Sequence, residues 1–381
     1  RGSWGLVGND QINGSRFIYM SQIDLNGIGY TTGINQNVTY NGPVYQRYAN
    51  ENITWEVGEK LNFGVDLQLF RSLDLTFDIF RENRRDIFQQ KQTIPTYMGT
   101  ASTKVYGNLA AMRNQGFELA ANYNKKINKE WFVSFKGTFT YAHNKITKYD
   151  EAPKYPWQSK IGVSANTNGI YVSDGLFIDA QDIAHHPQQL GMIISPGDIK
   201  YINISKDWYG YEDNLTDTDD WVWSKYPVIP EIVYGFGPSI KWKNLDFSFF
   251  FQGVSRTSFI LNNFHPFGDN MLRNVLSWVA DERWSPDNQD TNATYPRLSR
   301  KTNSNNNKNS SYWERNGAFL KLKNAEIGYT YKHMRLYISG SNLLTFAPFK
   351  LWDPEQGGGN GLSYPTQRVF NIGFQMTINN K

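Results

Sequence analysis

The feature that most constrains this chain is a strict alternation of apolar and polar residues near its C-terminus. The apolar residues are Phe370, Ile372, Phe374, Met376 and Ile378, and they alternate with Asn371, Gly373, Gln375, Thr377 and Asn379. A period of two is that of a β-strand with one apolar face. About ten residues is the length at which a tilted strand crosses a bilayer. The pattern predicts a strand with lipid on one face and water on the other, with Phe374 near mid-depth.

Eight further segments show the same alternation, and they come in pairs joined by short turns. The pairs are 61–69 with 73–79, 117–123 with 131–141, 234–242 with 245–251, and 325–331 with 334–339. In the first pair Asp66, Asp74 and Asp78 occupy the polar phase, as they must if the other face meets lipid. Each pair is predicted to form an antiparallel hairpin whose apolar residues share one side.

The connections between these segments also alternate in length. The turns near positions 71, 127, 244 and 332 contain only a few residues, whereas the links between hairpins run to roughly 35, 90, 65 and 25 residues. Outer-membrane barrels have short periplasmic turns and long extracellular loops, and soluble sandwiches rarely place every long loop at one end. The chain is therefore predicted to be all-β and to form about nine strands of a transmembrane antiparallel β-barrel.

The start of the chain leads to an expectation about its boundaries. The sequence begins Arg1-Gly2-Ser3, without an initiator Met, a basic segment or an apolar signal segment. Nine strands that begin inside an extracellular loop cannot close a bacterial barrel, which has an even number of strands. We expect residues 1–381 to be the C-terminal part of a barrel whose first strands precede Arg1. Residues 6–52 are expected to be loop, with one short strand at 17–20.

Composition excludes several classes of protein. No window contains 18 apolar residues and the mean hydropathy is −0.58, so a helical membrane protein is excluded. The net charge of +4 does not call for a nucleic-acid partner. The absence of cysteine excludes a disulfide framework and a thiolate metal site. The aromatic share of 15% suits the interfacial girdles of a barrel and loops that stack on sugars.

No enzyme activity and no cofactor are predicted. The chain contains no nucleophile elbow, phosphate-binding loop or HExxH sequence. His185 and His186 precede a proline and lack a third ligand at metal spacing, so a pair of loop residues is favoured over a zinc site. Asp66 and Asp78 could suggest glycoside chemistry, but their strand phase favours charges that line a lumen.

Short motifs along almost the whole chain resemble one family in the same order. They read NQGFEL at 114–119, SDGLF at 173–177, PGDIKY at 196–201, FFFQG at 249–253, WSPDN at 284–288, YPRL at 295–298, SYW at 311–313, FLKLKN at 319–324, YISGSNLLTF at 337–346 and DPE at 353–355. Together they resemble the C-terminal portion of the SusC/RagA family of TonB-dependent outer-membrane transporters. The resemblance implies a plugged barrel of about 22 strands with a TonB box. This chain would supply its last strands, without the N-terminal plug.

One segment departs from the family pattern. In the family the segment after PGDIKY commonly continues as an Asp/Asn-Gly loop that resembles a calcium site, but residues 202–211 lack alternating oxygen ligands. Acidic residues return at Asp213, Asp217, Asp219 and Asp220, where a solvated acidic loop is the favoured interpretation. No metal site is predicted.

The aromatic residues divide by position. Trp131 and Trp242 lie at strand ends and are predicted to belong to the interfacial girdle. Trp284 and Trp313 lie inside the family motifs, which favours packing within the loops. Contact with a ligand is predicted for Trp208, Tyr209, Tyr211, Trp221 and Trp223, which are interleaved with Asp and Asn. Flat apolar faces beside hydrogen-bonding groups suit a hydroxyl-rich or peptide ligand.

The function implied by the resemblance is active import across the outer membrane. A nutrient would bind outside, be enclosed by a SusD-like surface lipoprotein, and be released inwards when TonB acts on the plug. Loops 6–55 and 81–114 would hold the lipoprotein, and segment 143–231 would fold over the barrel mouth. An oligosaccharide is the favoured cargo, and an oligopeptide stays open. The alternatives are a passive or adhesive barrel that acts as a receptor without gated transport, and a soluble all-β carbohydrate-binding module.

Overall fold

The computed structural model describes residues 1–11, 17–95, 97, 103–207, 209–262, 267–268, 271–272 and 274–378. The chain divides into two compact units. The first contains Arg1–Gly64, Asp78–Phe117 and Ala142–Ala165, and the second contains Val65–Phe77, Glu118–Tyr141 and Asn166–Lys381. Within the described ranges, no helix has the length and apolar character needed to span a membrane.

Most of the regular structure is β-strand. The strands are β1 (Gly2–Asn9), β2 (Gln22–Thr32), β3 (Val38–Arg47), β4 (Glu56–Leu69), β5 (Leu73–Gln90), β6 (Tyr106–Lys126), β7 (Trp131–Lys148), β8 (Gly169–Tyr171), β9 (Ser173–Leu176), β10 (Gln188–Gln189), β11 (Ile199–Tyr201), β12 (Leu215–Thr216), β13 (Trp221–Trp223), β14 (Ile232–Trp242), β15 (Leu245–Ser255), β16 (Ser258–Ile260), β17 (Phe267–Gly268), β18 (Met271–Leu272), β19 (Glu314–Asn316), β20 (Phe319–Tyr331), β21 (Met334–Phe346) and β22 (Val369–Met376). The α-helices are α1 (Ala180–His185) and α2 (Ser277–Glu282), and 3-10 turns lie at Pro156–Gln158 and Pro354–Gln356.

The long strands form one sheet. Its order is β1-β4-β5-β6-β7-β14-β15-β20-β21-β22, so the long strands after β1 follow one another in chain order. The pairings from β7 to β22 are all antiparallel. This is the connectivity of an up-and-down barrel wall. The predicted all-β antiparallel architecture is confirmed.

The register of this sheet places the apolar residues of β7, β14, β15, β20, β21 and β22 on one face. One line of paired residues holds Val133, Ile240, Phe247, Ile327, Ile338 and Ile372, and the next on that face holds Trp131, Trp242, Leu245, Tyr329, Leu336 and Phe374. The adjacent line on the opposite face holds Ser134, Ser239, Ser248, Glu326, Ser339 and Asn371. A slip of one residue would have mixed the two sets, so the predicted phase of these strands is confirmed.

The carboxylates of β4 and β5 are held by polar partners, as their strand phase predicts. Thr76 donates a hydrogen bond to Asp66 at 2.9 Å, and Gln68 donates one to Asp74 at 3.1 Å. Asp78 is 8% exposed and forms an ion pair with Arg1. These pairings account for the carboxylates without any glycoside chemistry.

The prediction of a short strand at 17–20 is wrong. These residues form a turn in which the amide of Met20 donates to the carbonyl of Phe17 at 2.9 Å, and the φ of Phe17 is 59°. A φ in the left-handed region is incompatible with an extended strand. The apolar character of the segment reflects the burial of Ile18, which is 9% exposed, and not a strand face.

Much of segment 6–52, expected to be loop, is strand. β1 adds a tenth strand to the sheet in the described part of the chain and pairs with β4 from Gly2↔Phe63 to Asn9↔Glu56. β2 and β3 pair with each other outside that sheet, with three shifts of register along their length. Glycines in β1 and irregular pairing in the hairpin break the period of two. That is why alternation did not reveal these strands.

Three strands are longer than predicted. β5, β6 and β7 contain 18, 21 and 18 residues. A tilted strand needs only about 9–11 residues to cross the hydrocarbon, so these strands continue beyond it. Residues 81–90 and 106–114 of the predicted loop 81–114 therefore belong to β5 and β6. Outside the hydrocarbon both faces of a strand can be polar, so the alternation that marks its spanning part ends early.

Replacing Phe374 with arginine is expected to impair assembly into the outer membrane. Phe374 lies on the apolar face and is 62% exposed, and an arginine near mid-depth on a lipid face costs about 2–4 kcal/mol. Asn371→Arg is the matched control, because Asn371 lies on the opposite face of the same strand beside Ser339. The measurement is the fraction of heat-modifiable protein in isolated outer membranes. Equal losses for the two variants would contradict the assigned faces.

Candidate functional site

The loops of the second unit pack around a hydrophobic core of their own. Its buried residues are Ile170, Leu176, Ile199, Tyr201, Phe259, Ile260, Leu261, Val279, Trp284, Ala293, Tyr295, Trp313 and Phe349. Trp284 and Trp313 are 5% and 2% exposed, which confirms that the motif tryptophans pack within the loops. Gly197 has a φ of 84°, and a Cβ there would lie 2.2 Å from the Trp284 ring, so this position requires glycine. We name this assembly the loop scaffold.

A buried carboxylate joins separate stretches of the loop scaffold. Asp198, within PGDIKY, has no exposed surface and forms a bidentate ion pair with Arg297 at 2.7 and 3.2 Å. Its oxygens also accept hydrogen bonds from the side chains of Asn303 and Asn306 at 2.8 and 3.0 Å and from the backbone of Ser195 at 2.9 Å. Burying a charge is costly unless it is paired and hydrogen-bonded. The contacts satisfy that condition and make Asp198 a structural residue.

Trp221 and Trp223, two of the predicted ligand contacts, lie side by side. Both are on β13, which pairs with β8, and their rings meet edge to face at 5.0 Å. Gly169 on β8 lies beneath this pair, and a Cβ there would come within 2.9 Å of the Trp221 ring. Both side chains are half-buried, so part of each ring is fixed by the scaffold and part is exposed. We name them the tryptophan pair.

Tyr209 and Tyr211 lie together in a separate turn. The carboxylate of Asp207 accepts hydrogen bonds from the amides of Tyr209 and Tyr211 at 2.9 and 2.8 Å, and the backbones of Lys206 and Glu212 form an antiparallel β-bridge across the turn. The two side chains are 81% and 73% exposed. Trp208, the remaining predicted contact, lies outside the described residues. The four predicted contacts that the structure describes thus form two pairs. Trp221 and Trp223 are half-buried, whereas Tyr209 and Tyr211 are exposed.

The expectation of a solvated acidic loop is wrong for Asp220. This residue has no exposed surface, and its carboxylate accepts hydrogen bonds from the amides of Ile204, Ser205 and Asp217, each at 2.7 Å. A carboxylate can replace the backbone partners that an irregular loop lacks. Its role is to fix the chain on the approach to the tryptophan pair.

Asp213 has a similar role on the same loop. It accepts hydrogen bonds from the side chains of Asn203 and Ser205 at 2.9 and 3.0 Å and from the amide of Leu215 at 3.0 Å. Burial acts to raise the pKa of Asp213, but these hydrogen bonds outweigh it and hold the pKa below its usual range. Among the described residues, no three His, Cys, Asp or Glu side chains are grouped as a metal site requires.

The histidine pair is held by local contacts. His185 ends α1, where its Nδ1 lies 2.7 Å from the carbonyl of Gln181. The ring of His186 meets Phe177 edge to face at 5.1 Å.

At the other end of the strands, Trp131 and Trp242 stack at 5.6 Å and are 37% and 41% exposed, an arrangement typical of an interfacial girdle.

Lys321 is a scaffold residue whose role the sequence did not reveal. It is 1% exposed, and its ammonium donates hydrogen bonds to Asp353 and Glu355, each at 2.6 Å. Lys323 donates a further hydrogen bond to Glu355 at 2.8 Å. The contacts join β20 to the loop before β22. The available signal was a lysine in FLKLKN, among apolar residues, with the acidic DPE motif downstream.

The contacts of Lys321 and Lys323 change the pKa values of Asp353 and Glu355. Burial acts to raise the pKa of both, but the hydrogen bonds from Lys321, with Lys323 also acting on Glu355, outweigh it and lower the pKa of each below its usual range. A carboxyl group whose pKa is lowered on folding stabilises the fold above its unfolded pKa. That contribution is lost as the pH falls through the folded pKa.

Lys321→Met is expected to destabilise the loop scaffold by about 3 kcal/mol, because it leaves two partly buried carboxylates without their shared cation. Lys350→Met is the matched control, since Lys350 is an exposed lysine of the neighbouring loop. The measurement is the midpoint of thermal unfolding in detergent, followed by tryptophan fluorescence at neutral and acidic pH. The wild-type midpoint should fall more steeply on acidification than that of Lys321→Met. Equal midpoints for the two proteins at neutral pH would contradict the role of Lys321.

A sheet with one apolar and one polar face, joined by a packed scaffold of long loops, is the wall of an outer-membrane β-barrel. Comparison with known families agrees. The model of the family described as TonB dependent receptor-like, beta-barrel, matches residues 18–343. The chain belongs to this family, and the protein is an outer-membrane protein of which this sequence forms part of a barrel.

Relatives support the resemblance to SusC/RagA. The TonB-dependent receptor P3 of Formosa agariphila is 25% identical over 413 aligned residues, which cover 99% of this chain and 39% of the relative. The TonB-dependent receptor SusC of Bacteroides thetaiotaomicron is 22% identical over 98% of this chain and 37% of its own length. The chain thus spans about two-fifths of the length of the curated relatives it matches.

Solved structures share the fold. The RagAB peptide importer in its open-open state superposes with a TM-score of 0.69 at 20% identity, over 99% of this chain and 40% of the other. A structure of the RagAB peptide transporter gives a TM-score of 0.68 at 22% identity, with the same coverage. The predicted barrel fold and the resemblance to SusC/RagA are confirmed.

Proposed function

We propose that this chain forms the C-terminal barrel wall and the extracellular loops of a TonB-dependent importer of an oligosaccharide nutrient. The observation that carries the proposal is the register-aligned apolar face in a chain of this family. Because the relatives are more than twice as long, the proposal assigns the plug, the TonB box and the remaining strands to the rest of a longer protein. No bond of the cargo is broken.

The polar face of the sheet suits a hydroxyl-bearing cargo in transit. A groove of about 630 Å³ lies on this face, lined among others by Ser134, Ser239, Ser248, Asn324, Ser339 and Asn371. Hydroxyl and amide groups exchange hydrogen bonds with a sugar much as water does. In the proposed cycle TonB acts on the plug, and the cargo leaves the loops along this face.

The tryptophan pair, with Tyr209 and Tyr211, is the proposed cargo contact. Its rings are held edge to face while part of each remains exposed, an arrangement that preorganises a stacking surface. An oligopeptide is the second candidate cargo, because RagAB, whose fold this chain shares, is described as a peptide importer. Binding of matched oligosaccharide and peptide pools to the purified protein separates the two.

The β2–β3 hairpin is the proposed contact for a SusD-like surface lipoprotein. It exposes Leu25, Tyr30, Ile34 and Tyr40 at 80%, 76%, 104% and 65%. A cluster of exposed apolar side chains is typical of a surface that another protein covers. The hairpin lies within the predicted lid-holding segment 6–55 but occupies only part of it.

TonB dependence tests the import proposal. Cells that carry the full-length protein are expected to bind and take up a labelled oligosaccharide pool, and cells without TonB should retain surface binding while uptake stops. Energy from TonB is required because the plug closes the lumen in the proposed protein. Uptake that continues at the same rate without TonB would favour a passive barrel. Surface binding without uptake in TonB-positive cells would favour an adhesive receptor.

The double variant Trp221→Ala/Trp223→Ala is expected to weaken cargo binding roughly 30-fold, since stacking contributes about 1 kcal/mol per ring. Calorimetry on the purified full-length protein measures this, and co-purification reports the lipoprotein. The matched control is Tyr30→Ser/Ile34→Ser/Tyr40→Ser, which should lose the lipoprotein and keep the binding constant. If the tryptophan variant instead keeps its affinity and loses the lipoprotein, the pair serves the partner interface.

A further inference from the structure

A second polar cavity lies within the loop scaffold. Its volume is about 290 Å³, and its lining includes Ser173, Thr291, Asn292, Thr294, Ser311 and Arg315. A water molecule takes about 30 Å³ in the liquid, so the cavity has room for roughly ten waters, or for one sugar residue with part of its hydration shell. None of the four described aromatic contacts lines it. Hydroxyl, amide and guanidinium groups lie on its surface beside apolar atoms.

Arg315 is a cation without a carboxylate partner in the described part of the chain. Its Nη1 donates hydrogen bonds to the carbonyls of Tyr312 and Glu314 at 2.6 and 3.0 Å, and both acceptors are uncharged. Burial lowers the pKa of Arg315 below its usual value. A half-buried guanidinium is stabilised by an anion that reaches it.

Glu314, the acidic residue next to Arg315 in the sequence, forms its hydrogen bond with another part of the chain. Glu314 precedes Arg315 on β19, and adjacent residues of a strand point to opposite faces. The carboxylate of Glu314 accepts a hydrogen bond from Ser224, away from the cavity. The carboxylate of Glu282 accepts a hydrogen bond from the hydroxyl of Thr294 at 2.7 Å, so the proton of this hydroxyl is already used. The guanidinium of Arg315 is therefore the only charged group among the residues that line this cavity in the described ranges.

The hydroxyl groups of the cavity are placed by backbone contacts. Ser311 accepts a hydrogen bond from the amide of Ser173 at 2.8 Å, which leaves its own proton for another acceptor. The hydroxyl of Tyr312 donates to the carbonyl of Ala293 at 2.6 Å and holds one wall in place. Three stretches of the chain thus meet around one cation and several hydroxyl groups.

We propose that this cavity binds an acidic sugar residue of the cargo. The fork of the Arg315 guanidinium matches a planar carboxylate, and the hydroxyls of Thr291 and Ser311 suit the ring hydroxyls. The hydroxyl groups beside the cation favour a sugar acid over a peptide terminus, since a peptide terminus presents a carboxylate without ring hydroxyls. The inference rests on the proposed import function and narrows its cargo to uronate-bearing oligosaccharides.

The test measures binding to the full-length protein in detergent by calorimetry. The probes are a galacturonic acid trimer, a neutral galactose trimer and trialanine with a free carboxylate. The wild type is expected to bind the acidic trimer at least tenfold more tightly than the neutral one. Arg315→Gln should bring this ratio close to one. Arg300→Gln, which changes an exposed arginine of the same unit, should leave it unchanged.

Arg315→Lys guards against a folding defect, because it keeps the charge but loses the fork, and it should give an intermediate ratio. The proposal is overturned if the wild type shows no preference for the acidic trimer or if Arg315→Gln retains the preference. It is also overturned if trialanine binds more tightly than the acidic trimer in an Arg315-dependent manner. TonB-dependent uptake of a neutral oligosaccharide, without preferential binding of the acidic trimer, would leave the import proposal intact while removing this one.

Discussion

The hydrocarbon core of a bilayer offers no water to an unpaired backbone group, and each such group costs several kcal/mol. Strands that cross it must bond to neighbours on both sides, so only side chains remain to distinguish lipid from lumen. The line of paired residues from Val133 to Ile372 is apolar and suits lipid, and the adjacent line from Ser134 to Asn371 is polar and suits the lumen. A register fixed in this way also gives the loops a rigid base, which a cargo site needs if its geometry is to be maintained.

Beyond the strands the same demand for hydrogen-bond partners is met by side chains. Asp198 and Asp220 serve segments that have little regular structure. Gln189 does so for β11, where it accepts from the amide of Tyr201 and donates to the carbonyl of Ile199, both at 2.8 Å. Because these groups are buried and fully engaged, the loops behave as a folded layer. This folded layer positions the tryptophan pair and the cavity at Arg315.

The sequence predicted those parts of the structure in which one physical rule acts alone. Lipid on one side imposes the alternation of β14, β15, β20, β21 and β22, and the phase read from that alternation is the phase observed. Where several rules compete, the prediction was less complete. β1 is held by backbone pairing, and its glycines interrupt the alternation that would have revealed it. Phe17 lies in a turn beside Ile18, which is buried although its segment is not a strand. Arg315 could not be singled out, since its isolation depends on which way Glu314 points.

The turn between Lys206 and Glu212 has a further consequence. The amide of Asp207 donates to the carbonyl of Tyr211 at 2.7 Å and the backbones of Lys206 and Glu212 form a β-bridge, so the chain enters and leaves this turn at one place. Its length can therefore change while Asp220 and β13 stay where they are. In the proposed orientation, with the long loops outside the cell, a foreign epitope inserted into this turn would be displayed on the bacterial surface.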